Sequence, residues 1–132
     1  MNLVSLRVIT DDVTRLVTFY ERVTGVRAVW SNPVFAELRT AAGTLAIAGT
    51  GTVALFSPGS ARPRDNHSAI LEFLVDDVDG AYRRLAGFLE DVVTEPTTMP
   101  WGNRSLLFRD PDGNLVNLFT PVTPDAVARV GR

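Results

Sequence analysis

The chain repeats itself, and that repeat limits the folds open to it more than any other feature. Ile9-Thr10-Asp11-Asp12-Val13 returns as Leu74-Val75-Asp76-Asp77-Val78, 65 positions later. A second stretch, Phe35 to Leu45, lies on Ser105 to Leu115 without a gap at a spacing of 70. A sequence that duplicates both a helix start and a strand pair builds one supersecondary unit twice.

Each copy reads as β-α-β-β-β. In the first, Leu3 to Ile9 alternates like a strand, and Thr10-Asp11-Asp12 offers helix caps. Val13, Leu16, Val17, Tyr20 and Val23 then recur at helical spacing, and Gly25 suits a left-handed C-cap. Strands follow over Arg27 to Ser31, Phe35 to Thr40 and Thr44 to Ala48. Residues 50–57 read as an excursion into the linker that holds a short helix.

In the second copy Ile70 to Val75 is a strand. Asp76-Asp77 caps a helix whose apolar stripe is Val78, Ala81, Tyr82, Leu85 and Leu89, and Val92 to Glu95 is a weak strand. The hairpin Arg104 to Pro121 closes the unit. Its turn, Asp110-Pro111-Asp112-Gly113-Asn114, pairs a proline that pre-sets φ with a glycine that accepts φ > 0. The expected organisation is module one at 1–57, a linker at 58–67, module two at 68–122 and a tail at 123–132. Together they form a single α+β domain of two tandem βαβββ modules, a cup-shaped mixed sheet with the helices outside.

Composition excludes several function classes. With 13 Lys and Arg against 15 Asp and Glu, net charge −2, the chain lacks the basic excess that phosphate backbones require, so no nucleic-acid partner is expected. No apolar run approaches the ~20 residues of a membrane span. Met1-Asn2-Leu3 leads straight into strand-like sequence with no basic or apolar leader, and the expected location is the cytoplasm. Cysteine is absent and every basic side chain is arginine, which removes thiolate and Schiff-base lysine chemistry. The one histidine, His67, falls on the linker, so no Ser-His-Asp set is expected. Gly49-Thr50-Gly51 lacks the Lys-Ser/Thr continuation of a phosphate loop.

Phe19-Tyr20 with Gly25, Val75-Asp76-Asp77-Val78-Asp79 and Asp110-Pro111-Asp112-Gly113-Asn114 together resemble the vicinal oxygen chelate superfamily, which includes glyoxalase I, bleomycin resistance proteins and extradiol dioxygenases. Pro100-Trp101-Gly102-Asn103-Arg104 looks most like its small antibiotic-binding members. The resemblance implies a homodimer and, in the enzymes, a divalent metal held by His and Glu from the first and last strand of each module. Those positions fall on Ser5, Ile47, Ile70 and Asn117, none of which is a histidine or carboxylate, so no metal and no other cofactor is expected. His67, three residues before Ile70, reads as a solvated loop residue.

Strand alternation points Ser5 and Arg7 into the cup and turns Val4, Leu6 and Val8 towards the helix. It likewise points Ile70 and Glu72 in. Arg7 and Glu72 are equivalent under the repeat, and they are expected either to pair or to present charge to a polar ligand. Trp101, on a loop, offers a flat apolar face for a planar ligand. Trp30, Phe35 and Phe56 are further aromatic candidates beside Asn103, Arg104 and Asn117, with Glu37 less certain. The expected function is a metal-free protein that binds an aromatic or planar small molecule, an antibiotic among the options. The alternative is a glyoxalase-like lyase, isomerase or dioxygenase.

Overall fold

The computed structural model describes residues 1–131. It divides into two compact units, Met1–Asn66 and a second that begins at His67.

In the first unit, β1 (Ser5–Thr10) leads into α1 (Val13–Thr24), followed by β2 (Val29–Asn32), β3 (Phe35–Arg39) and β4 (Thr44–Gly49). The sheet order is β1-β4-β3-β2, with β1 parallel to β4 and the other pairs antiparallel. Asp12 starts α1 by accepting from the Arg15 amide at 3.1 Å, and Gly25 ends it at φ +74°. The stripe Val13, Leu16, Val17, Tyr20 and Val23 is buried, and α1 packs on β3 and β4. Ala36, Leu38, Leu45 and Ile47 lie beneath it, each at most 6% exposed. Fully burying a Leu or Ile contributes about 2–3 kcal/mol, so this seam supplies much of the unit's stability. β1 is an edge strand outside the seam, and Val4 and Leu6, expected on the helix, are exposed for that reason.

The second unit repeats the plan with β5 (Ile70–Leu74), α2 (Val78–Leu85), β6 (Val92–Thr98), β7 (Asn103–Arg109) and β8 (Leu115–Pro121), in the order β5-β8-β7-β6. Asp77 caps α2 through the Gly80 amide. Each module is therefore a four-stranded mixed sheet with a helix on one face, the expected α+β arrangement.

Three details differ from expectation. β6 runs to Thr98 because Met99-Pro100-Trp101-Gly102-Asn103 makes the same turn as Asp110-Pro111-Asp112-Gly113-Asn114. In both, the first residue's amide donates to the asparagine carbonyl, and the glycine amide donates back to the first carbonyl. Gly102 has φ +93° and Gly113 φ +85°. The short helix expected within residues 50–57 is present as a 3₁₀ segment, Thr50–Leu55. The expected tail contains a helix, α3 (Pro124–Val130), whose N-cap Thr123 accepts from the Ala126 amide at 3.2 Å. Arg132, the end of that tail, lies outside the described residues.

The third difference moves side chains between faces. Residues 40–43 join β3 to β4, whereas 110–114 join β7 to β8. The second turn is one residue longer, so the repeat spacing is 70 for β3 and β7 but 71 for β4 and β8. A one-residue slip in a strand exchanges its faces. Asn117 therefore corresponds to Ala46 and not to Ile47, which is fully buried under α1.

Candidate functional site

The face of the first sheet opposite α1 carries Ser5, Arg7 and Ile9 from β1, Ala46 and Ala48 from β4, and Phe35 and Glu37 from β3. Arg7, Ala46 and Glu37 lie in one cross-strand row, and Ile9, Ala48 and Phe35 in the next. The guanidinium carbon of Arg7 stands 4.9 Å from the centre of the Phe35 ring and 5.3 Å from that of Phe56. Getting from β1 to Phe35 means crossing β4 at Ala46 and Ala48, whose methyl groups leave room for the arginine stem. Both alanines are buried, at 2% and 0% exposure. Phe56 reaches the arginine from the end of the 3₁₀ segment, which packs against β1 and β4. Three expected ligand contacts, Arg7, Phe35 and Phe56, thus converge on one face.

Arg7 makes no ion pair or hydrogen bond among the described residues. The acid in its own row, Glu37, is taken by Arg39 at 2.9 Å. Two phenyl faces attract the cation, by about 0.5–1 kcal/mol each at an exposed position, but neutralise none of its charge and occupy none of its N–H donors.

On the corresponding face of the second sheet, Glu72, Asn117 and Leu107 form the equivalent row. The Asn117 side-chain amide donates to Glu72 at 2.8 Å. Its Oδ1 is buried and accepts nothing, and the same holds for Oδ1 of Asn103 at the start of β7. Arg7 and Glu72 each have these partners within their own modules.

Two candidates lie on the other face. Arg104 pairs with Thr120 in register, in the rows of Leu106 and Phe108 that α2 covers. There its guanidinium grips the Asp79 carboxylate of α2, with Nε at 3.0 Å from Oδ2 and Nη2 at 3.1 Å from Oδ1, and Nη1 reaches Thr98. It ties helix to sheet on the face that α2 covers. Asp79, absent from the expected set, is its partner. Trp30 pairs with Ala36, in the row beneath α1, and is exposed. Trp101 occupies the third position of the β6–β7 turn, 58% exposed, with its carbonyl accepting from Arg129. His67 is exposed in the bend before β5.

The hydrogen bond from Arg104 holds the Asp79 carboxyl below the ordinary carboxylate range, and Asp79 in turn raises Arg104. A carboxyl whose pKa is depressed by folding contributes stability that is fully present above its unfolded value and lost as pH falls through its folded value. The melting-temperature gap between wild type and Asp79→Asn is therefore expected to shrink as pH drops from about 7 to about 3. A gap that stays constant would assign the loss to packing instead.

The sequence profile of the glyoxalase/bleomycin resistance protein/dioxygenase superfamily matches residues 2–118. The chain belongs to that superfamily. Among solved structures, a glyoxalase/bleomycin resistance protein/dioxygenase family enzyme from Burkholderia phytofirmans aligns at 18% identity and TM-score 0.79, over 89% of this chain and 97% of that one. A lactoylglutathione lyase from Agrobacterium tumefaciens aligns at 22% and 0.69, over 90% and 92%. A structure from the mobile metagenome of V. Pseudocholerae aligns at 27% and 0.74, over 93% and 96%. No curated protein matches the chain.

In this superfamily's enzymes, the metal ligands stand at four strand positions, which with the corrected register are Ser5, Ala46, Ile70 and Asn117. Their side chains offer a hydroxyl, two hydrocarbons and a neutral amide. A divalent cation takes imidazole, thiolate or carboxylate donors, so these residues do not fit it. No three His, Cys, Asp or Glu side chains converge elsewhere among the described residues.

Proposed function

We propose that this superfamily member is a binding protein for a planar or aromatic small molecule, and that it holds this ligand without a metal. The observation that carries the reading is the Arg7–Phe35–Phe56 cluster, in which two aromatic faces and an unpaired cation share one sheet face. The donor set at the four strand positions supports the metal-free half. Trp101 belongs to the reading as a flat, exposed surface on a turn held rigid by two backbone bonds. The reading includes a homodimer, for which exposed Leu3, Val4 and Leu6 supply apolar surface.

The chelator-treated protein, screened by thermal shift against planar aromatic compounds including antibiotics, is expected to be stabilised by a subset of them. Selective binding to the native state raises the melting temperature. Stabilisation by divalent metals alone, with stoichiometric metal in the purified protein, would contradict the reading. Trp30 and Trp101 are the sole tryptophans, so ligand quenching has two sources. Trp101→Ala is expected to weaken binding and remove most of the quench, and unchanged affinity and quench would sink its assignment.

A second reading rests on Glu72. A carboxylate oriented by a neighbouring amide at 2.8 Å can accept a proton from a bound substrate, which would make the protein a metal-independent lyase or isomerase. Turnover of a bound compound that Glu72→Gln abolishes, with binding intact, would favour it.

A further inference from the structure

We propose that Arg7 is an anion anchor, and that the ligand is a planar organic acid whose carboxylate docks on its N–H edge. The proposal deepens the binding reading above and rests on it. Three observations carry it.

The first is charge without a partner. Arg39, Arg62, Arg64, Arg83 and Arg104 each meet a carboxylate. Arg7 meets none among the described residues, and the acid in its own row, Glu37, pairs with Arg39. The second is orientation. A long arginine side chain normally samples many rotamers, and ordering it opposes binding. Here two rings, 4.9 and 5.3 Å from the guanidinium carbon, limit its rotamers before any ligand arrives. The third is shape. The Arg7 N–H groups donate no hydrogen bond among the described residues, and that planar fork matches a carboxylate bidentately. The same rings present apolar surface to the aromatic body of the acid. Ala46 and Ala48 complete the arrangement, since a larger side chain at either would block the arginine's path across β4.

The test compares naphthoate with naphthamide, which share a ring system and differ in charge. Titrated into the intact wild-type protein at low salt, naphthoate is expected to bind roughly tenfold or more tightly than the amide, the usual scale of a charge-assisted pair. Added sodium chloride should weaken naphthoate and leave naphthamide unchanged. In Arg7→Gln the naphthoate affinity is expected to fall to that of the amide, whose own affinity stays the same. Phe56→Leu should weaken both probes, naphthoate more. Equal binding of the two probes to wild type would overturn the anchor while leaving the planar-ligand reading intact. Failure of both probes to bind at millimolar concentration would overturn both. The wild-type comparison needs no variant, so a misfolded mutant cannot obscure the result.

Discussion

Gly102→Ala is expected to lower the melting temperature by roughly 10 °C, the equivalent of about 3 kcal/mol in a chain of this size. Two effects add. Gly102 sits at φ +93°, where any residue with a Cβ is strained by about 1 kcal/mol. The added Cβ would also stand 2.1 Å from Oγ1 of Thr123 and 3.0 Å from its Cβ and Cγ2. Rotating the threonine hydroxyl away does not relieve the contact with Cβ, and it breaks the cap of α3, worth about 1 kcal/mol. The backbone has to move, and with it the bond from the Val122 amide to the Gly102 carbonyl. In a Thr123→Gly background the clash disappears and glycine still serves as an N-cap, so the same substitution should cost only its backbone strain, about 1 kcal/mol. Thermal unfolding of the four proteins checks this. An equal loss in both backgrounds would refute the steric explanation.

Asp110→Ala is expected to cost a similar amount, about 3 kcal/mol, by opening the β7–β8 turn. Oδ1 of this buried aspartate accepts from the amides of Asp112 and Asn114, both at 2.9 Å, and Oδ2 accepts from the Asn114 side chain at 2.8 Å. Alanine leaves three donors without that acceptor in a site where Asp110 and Asn114 are each 5% exposed. Asp110→Asn keeps an oxygen for the two amides and sets NH₂ against NH₂ until Asn114 turns over, so it should cost about half as much. Chemical denaturation of both variants measures the difference, and equal losses would mean that charge, not hydrogen-bond geometry, holds the turn.

Much of the fold was legible because local chemistry and global repeat agree. Asp12 and Asp77 cap helices at equivalent positions, and Asp110 to Asn114 forms the turn that its residues demand. What escaped did so for identifiable reasons. The β6–β7 turn repeats the pattern x-Pro-x-Gly-Asn, but Trp101 at its third position reads as a ligand contact before it reads as a turn residue. Thr123-Pro124-Asp125, an N-cap with proline at the first helical position, announces α3 in a segment short enough to pass for a tail. The one-residue difference between the 40–43 and 110–114 turns cannot be heard in an ungapped alignment, because Thr44-Leu45 matches Asn114-Leu115 well enough.

At the candidate site, alternation made the faces legible and left the neighbours across strands unread. Alternation along β1 and β5 correctly places Arg7 and Glu72 opposite the helices. Alternation along β7 also puts Arg104 with Leu106 and Phe108, on the face that α2 covers. The approach of Phe35 and Phe56 to Arg7 is invisible in sequence, since it joins residues from β1, β3 and the segment after β4 that no spacing rule connects. Asp79 was missed as a partner because 25 positions separate it from Arg104.

The central claim is that a sheet face with an unpaired, ring-held arginine binds a planar acid with no metal present. Calorimetric titration of naphthoate into chelator-treated protein, repeated after addition of zinc, nickel, iron or manganese, tests it most directly. The account predicts saturable binding whose affinity is the same in every titration. Binding that emerges only after a metal is restored would contradict it.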